Sequence, residues 1–134
     1  MTLTKAQSIV DKLAKQFGVD PPLVNFKRKY KGRFPASSDY VWLDQTIRLA
    51  GWDSTEFSLL HEFTHHLCWI NMKHVTHGSK FYWMLVAVIM VYYNGNYTSR
   101  NGGYSWANEY INGKKFYKKL LKLSIEEILA NIVK

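Results

Sequence analysis

Five consecutive residues, His61-Glu62-Phe63-Thr64-His65, constrain this chain more than any others. On a helix, residues four positions apart share a face one turn apart, close enough for two histidines to reach a single ion, so the segment reads as a helical motif. On that helix both imidazoles can chelate one metal ion, with the carboxylate of Glu62 beside it to handle a proton of water. The flanking sequence agrees. Asp53 and Glu56 make a start resembling a capping box, and Phe57, Leu59, Leu60, Phe63, Leu67 and Ile70 supply apolar faces to about Asn71. Burying a glutamate beside two histidines in a core that lacked a metal or hydrogen-bond partners is costly, which favours the metal reading.

A catalytic zinc usually has three protein ligands and a water, so a third donor is needed. An HExxHxxGxxH continuation is excluded, because Cys68 and Asn71 stand where Gly and His would be. Glu109 offers a carboxylate downstream, as a gluzincin-type site would use. His74 and His77 offer imidazoles just beyond the helix. A residue opening a returning helix can face back onto the motif helix, and His77-Gly78 stands shortly before the apolar run 81–93. His77 is the expected third ligand, with Glu109 as the alternative.

The series His61-Glu62-Phe63-Thr64-His65-His66 followed by His77-Gly78-Ser79-Lys80-Phe81 resembles the SprT-like zinc metallopeptidase family, whose pattern is HExxH, a short connection, then His-Gly and an aromatic residue three positions after the Gly. The resemblance covers roughly residues 32–93. It implies zinc ligation by His61, His65 and His77, with Glu62 as the catalytic base. The strand around Ile47-Arg48-Leu49 would be the family's edge strand above the cleft. Many members append a cysteine-rich zinc ribbon; with Cys68 as its one cysteine, this chain has none, and resembles the catalytic module alone.

Length and composition agree with one domain over residues 1–134, and the pattern of elements together with the resemblance implies an α+β, zincin-like fold in which the HExxH helix packs on a buried helix beside a small, partly antiparallel sheet. A 47% hydrophobic and 16% aromatic content is too rich for disorder. Residues 1–17 read as an amphipathic helix, with Ile9, Val10, Leu13 and Phe17 on one side and Gly18 closing it. Pro21-Pro22 ends the helical texture, and strands are expected over 23–30, 40–43 and 46–49. The run 81–93 is uncharged but thirteen residues long, short of the roughly 20 that span a bilayer, so it predicts a buried helix and no membrane partner. A Gly/Asn-rich loop covers 94–103. A helical tail is expected over about 114–133, with Phe116, Leu120, Leu123, Ile128 and Ile132 inward. No signal-peptide pattern opens the sequence, which makes the expected compartment intracellular.

Charge is the second clue. The net charge is +8, with cations grouped at Lys27, Arg28, Lys29, Lys31 and Arg33 and again at Lys114, Lys115, Lys118, Lys119 and Lys122. Aromatic residues interleave with both groups, a combination suited to DNA or another polyanion. The expected activity is Zn²⁺-dependent hydrolysis of peptide bonds in a protein or peptide substrate, including proteins associated with DNA, with Glu62 moving the proton. The rival readings are a basic nucleic-acid-binding module with a structural or vestigial metal site, and a peptidase with Glu109 as third ligand.

Overall fold

A computed structural model describes residues 1–27, 37–50, 55–74, 76–94, 119–120 and 122–132. Among these the chain forms four helices and three strands: α1 (Leu3–Phe17), β1 (Leu23–Phe26), β2 (Asp39–Val41), β3 (Thr46–Leu49), α2 (Glu56–Met72), α3 (Ser79–Tyr92) and α4 (Ile125–Ala130). This is a small α+β arrangement with a mixed sheet.

Helix α1 begins where the Thr2 hydroxyl accepts the Lys5 N–H and ends at Gly18, whose φ of 69° is the left-handed turn a glycine adopts without strain. Its buried face, Ala6, Val10, Leu13, Ala14 and Phe17, follows the helical repeat. Gln7 ties the helix to the strand after it: its amide nitrogen donates to the Pro22 carbonyl and its amide oxygen accepts the Val24 N–H. A side chain thus occupies a backbone donor of β1 that another strand would otherwise compete for.

The strand order is β1-β3-β2, with β1 parallel and β2 antiparallel to β3. Thr46–Leu49 is therefore the centre of the sheet, which corrects the expectation that it forms the edge. The reason is its burial: Thr46, Ile47 and Leu49 are all buried, and a strand so covered is stabilised by pairing on both sides. Residues 42–45 form the β2–β3 turn, with Gln45 at φ 53°. On the outward face Arg48 makes a two-pronged bond to Asp39 directly across the ladder, at 2.7 and 2.6 Å, and Lys27 reaches the same carboxylate at 3.0 Å. Burial pushes the Asp39 carboxyl up, but the hydrogen bonds and charges of Arg48 and Lys27 outweigh it and hold the group below the usual carboxylate range.

Helix α2 starts at Thr55, whose hydroxyl accepts the Ser58 N–H, and not at Asp53, which lies outside the described residues. It packs on β2, β3, α1 and α3. Phe63 and Leu67 are fully buried, and the Phe63 ring meets Phe17 edge-on at 6.2 Å. Thr64, also fully buried, returns its hydroxyl to the Leu60 carbonyl at 2.8 Å and so leaves no donor unmet. Helix α3 is buried continuously from Met84 to Val91, as its unbroken apolar sequence requires. Among the described residues, no helix is long and apolar enough to cross a membrane.

The tail departs from the expected continuous helix over 114–133. The chain turns at Lys122 and Leu123, and Ser124 opens α4 with a reciprocal capping box: its hydroxyl accepts the Glu127 N–H, and the Glu127 carboxylate accepts the Ser124 N–H. The Ser-x-x-Glu spacing marks the start of this helix. Ile128 faces α3, and Leu120 is buried in the same core.

Candidate metal centre

The two motif histidines and His77 come together. His61, His65 and His77 each offer a ligand nitrogen, all within 4.8 Å of one another, and among the described residues they form the group able to hold a metal ion. The geometry follows from two local structures. Within α2 the four-residue step puts His61 and His65 on one face, with ring centroids 5.1 Å apart. At the end of α2, Lys73 adopts the left-handed conformation at φ 52°, and its N–H and that of His74 close back onto the Trp69 and Cys68 carbonyls. That reversal sends the chain back, so that His77, just before the Gly78 cap of α3, reaches the α2 face. His65 Nε2 and His77 Nε2 are 2.9 Å apart, so at most one of the two carries a proton and at least one presents a lone pair.

The nitrogens lie close enough to share one metal ion, 2.9 Å apart for one pair and no more than 4.8 Å apart for any. Burial, together with the adjacent imidazoles of His61, His77 and His74, pushes His65 down to about 3. It is thereby kept neutral, the form a ligand needs.

Phe81 underlies the site. Its ring is fully buried, and its centroid lies 5.0, 4.5 and 4.7 Å from those of His61, His65 and His77. One flat side chain therefore touches all three imidazoles and limits how each can turn. Glu62 is buried, and its carboxylate lies 4.0 Å from His61 Nε2, alongside the nitrogen cluster.

The remaining histidines have other tasks. His74 shares a hydrogen bond with Thr76 at 3.2 Å and stays outside the ligand group. His66 is fully buried on another face of α2, where its Nε2–H donates to the Asp20 carbonyl at 2.7 Å and its Nδ1 accepts the Tyr40 hydroxyl at 2.8 Å. Burial lowers its pKa, with the Asp20 carbonyl opposing that shift, and it serves as a polar rivet between α2, the segment before β1, and β2. Neither Tyr40 nor Asp20 carries a sequence signal for that role, because the partnership spans 26 and 46 positions. Gly78 has a φ of −90°, and a Cβ there would meet the His74 ring at an ordinary 3.5 Å, so neither backbone nor space demands glycine.

Glu109, the Gly/Asn-rich loop 94–103 apart from Asn94, and most of both cation groups lie outside the described residues. No protein family matches the chain, and neither the characterised proteins nor the solved structures include a detectable relative.

Proposed function

We propose that the chain is a zinc-dependent metallopeptidase, zincin-like in fold and SprT-like in its ligand set, that hydrolyses peptide bonds. The observation carrying this reading is the convergence of His61, His65 and His77 within 4.8 Å beside the buried carboxylate of Glu62. Three imidazoles with one adjacent carboxylate form a donor set that suits a hydrolytic zinc and leaves a position for substrate.

Zinc, when bound, supplies Lewis acidity that polarises an amide carbonyl and brings a water's pKa toward about 7. Glu62 accepts the proton of the attacking water and returns it to the leaving nitrogen. Phe81 holds the three rings in place, and the low basicity of His65 keeps that ligand unprotonated at neutral pH. An extended substrate needs a strand edge to align its scissile amide. With β3 central, that edge is assigned to β2: among the described residues no strand lies on its far side, and it packs on α2. The net charge of +8 supports substrates held on nucleic acid or another polyanion. The buried thiol of Cys68, its pKa pushed up to about 12 by burial, is inert and suits an intracellular setting.

Elemental analysis of purified protein beside His77→Ala, Glu109→Ala and Glu62→Gln tests the reading. The expected result is one zinc per chain, lost in His77→Ala alone, with casein cleavage abolished in Glu62→Gln although its zinc is retained. Protein free of zinc after reconstitution would refute it, and loss of zinc in Glu109→Ala but not His77→Ala would move the third ligand.

A further inference from the structure

The face of α2 that carries the metal-site histidines does not end with them. Steps of four lead from His61 to His65 and then to Trp69, so the residue following the second histidine along this stripe is an indole about 5–6 Å from it at Cβ, with Lys73 at the helix C-cap beyond it. Trp69 is partly buried, and Trp42 from the β2–β3 turn leans on it with ring centroids 4.7 Å apart at an interplanar angle of 41°. Trp42 remains 43% exposed and its neighbour Leu43 77% exposed, an unusual position for two large apolar side chains in a tight turn. Lys73 places its Nζ 4.8 Å over the Trp69 ring while its backbone sits at φ 52°, where glycine or asparagine is the cheaper choice.

Resting on the peptidase reading, we propose that Trp42 and Trp69 form a side-chain subsite adjoining the metal centre, and that its occupant is an aromatic residue of the polypeptide substrate. Two observations select this occupant. The indole pair is continuous with the metal centre along one helix face, so a chain lying over the metal delivers a flanking side chain to it. The partly open pair offers an aromatic face and edge of the kind that another ring stacks on. Lys73, whose Nζ lies over the Trp69 ring, adds a positive charge beside the pair and favours an acidic residue next to the aromatic one.

The test uses zinc-loaded Glu62→Gln protein, which binds without cleaving, and three fluorescein-labelled probes. These are a flexible Gly/Ser/Asp peptide with a single central Phe, the same peptide with Ala in place of Phe, and an oligothymidylate of similar length. Fluorescence anisotropy should show the Phe peptide binding about tenfold more tightly than the Ala peptide, the scale of one good aromatic contact plus its buried area. Trp42→Ala and Trp69→Ala should each erase most of that ratio, and Trp69→Phe should preserve it. A ratio unchanged in both alanine variants, with circular dichroism intact, overturns the subsite. So does an oligothymidylate that is the one probe whose binding the tryptophan substitutions abolish.

Casein digestion separates the two claims. If the unsubstituted protein cleaves beside aromatic residues and Trp69→Ala loses that preference while retaining zinc, the subsite stands. If both proteins cut with the same flanking residues, the subsite fails and the peptidase reading survives. If no zinc is bound and nothing is cut, yet the tryptophan-dependent Phe preference persists, the aromatic-peptide site stands and the peptidase reading falls.

Discussion

His65 and His66 are adjacent on one helix, and the two faces of α2 put them to opposite uses. His65 looks into a cluster of imidazoles, with His77 at 2.9 Å, and its burial and those neighbours drive its pKa down to about 3. His66, one residue and about 100° further round, is fully enclosed between the helix and the sheet, with both ring nitrogens committed to Tyr40 and Asp20. One face gathers lone pairs in a position open to an ion; the other spends them internally. The same side chain becomes a candidate ligand or a rivet according to what the fold places opposite it, so a count of histidines says little about a site until their partners are known.

Substitutions that separate the two faces test this contrast. The largest effect is expected on the ligand face. His65→Ala or His77→Ala should weaken zinc binding about 100-fold or more, beyond what loss of a group supporting a ligand costs, while circular dichroism and the urea midpoint of the metal-free protein change little. Competition with a chromophoric chelator measures it, and a fold that collapses on loss of His77, an exposed residue, would break the division of labour.

On the sheet face, Ile47→Pro comes next. Ile47 pairs with Val24 on one side and Tyr40 on the other, so proline removes a ladder bond at the centre of the sheet and should cost about 3 kcal/mol or more. Urea denaturation is the measure, and a variant as stable as its parent would mean that β3 is an edge after all. His66→Ala should follow at about 2–3 kcal/mol, because it opens a cavity and strands the Tyr40 hydroxyl and the Asp20 carbonyl. Its zinc content should stay at one per chain; concurrent loss of zinc would merge the two faces into one unit.

Acidification reaches both faces by the same linkage. The folded protein disfavours protonation of His65 and His66, whereas in the unfolded chain each takes up a proton near pH 6.5. Stability of the metal-free protein is therefore fully present above about pH 6.5 and declines as pH falls through it, with a slope of at most about 1.4 kcal/mol per pH unit for each group. His65 extends that decline toward pH 3. Urea titrations between pH 8 and pH 5 should show a shallower loss in metal-free His65→Ala, and identical slopes would remove the basis for treating His65 as held neutral. The smallest effect belongs to Tyr40→Phe. Deleting one hydroxyl leaves His66 Nδ1 without its donor at a cost of about 1 kcal/mol, seen as a small drop in melting temperature with zinc binding unchanged.

Much of this was legible along the chain because its signals are local. The four-residue spacing of His61 and His65, the amphipathic repeat of α1 and the unbroken apolar run of α3 each set a helix and its buried side without reference to anything distant. The start of α4 was equally local, in the capping box of Ser124 and Glu127, although the apolar repeat across it points to one continuous helix. Trp69, four residues past His65, was within reach of the same spacing argument.

What sequence could not supply is any relation that crosses elements. A strand of four residues has the same pattern at an edge or at a centre, and only pairing with both β1 and β2 made Thr46–Leu49 central. Tyr40 and Asp20 become partners of His66 because the sheet and the loop before it close over α2, and Trp42 meets Trp69 because a turn lands there. The sequence by itself determined the periodicities, the caps and the chemical identity of three metal-competent histidines, since these depend on neighbours a turn away. Tertiary structure alone decided which histidine was a rivet, which strand was enclosed and that one phenylalanine would touch all three candidate ligands, since such contacts depend on distances that sequence separation does not encode.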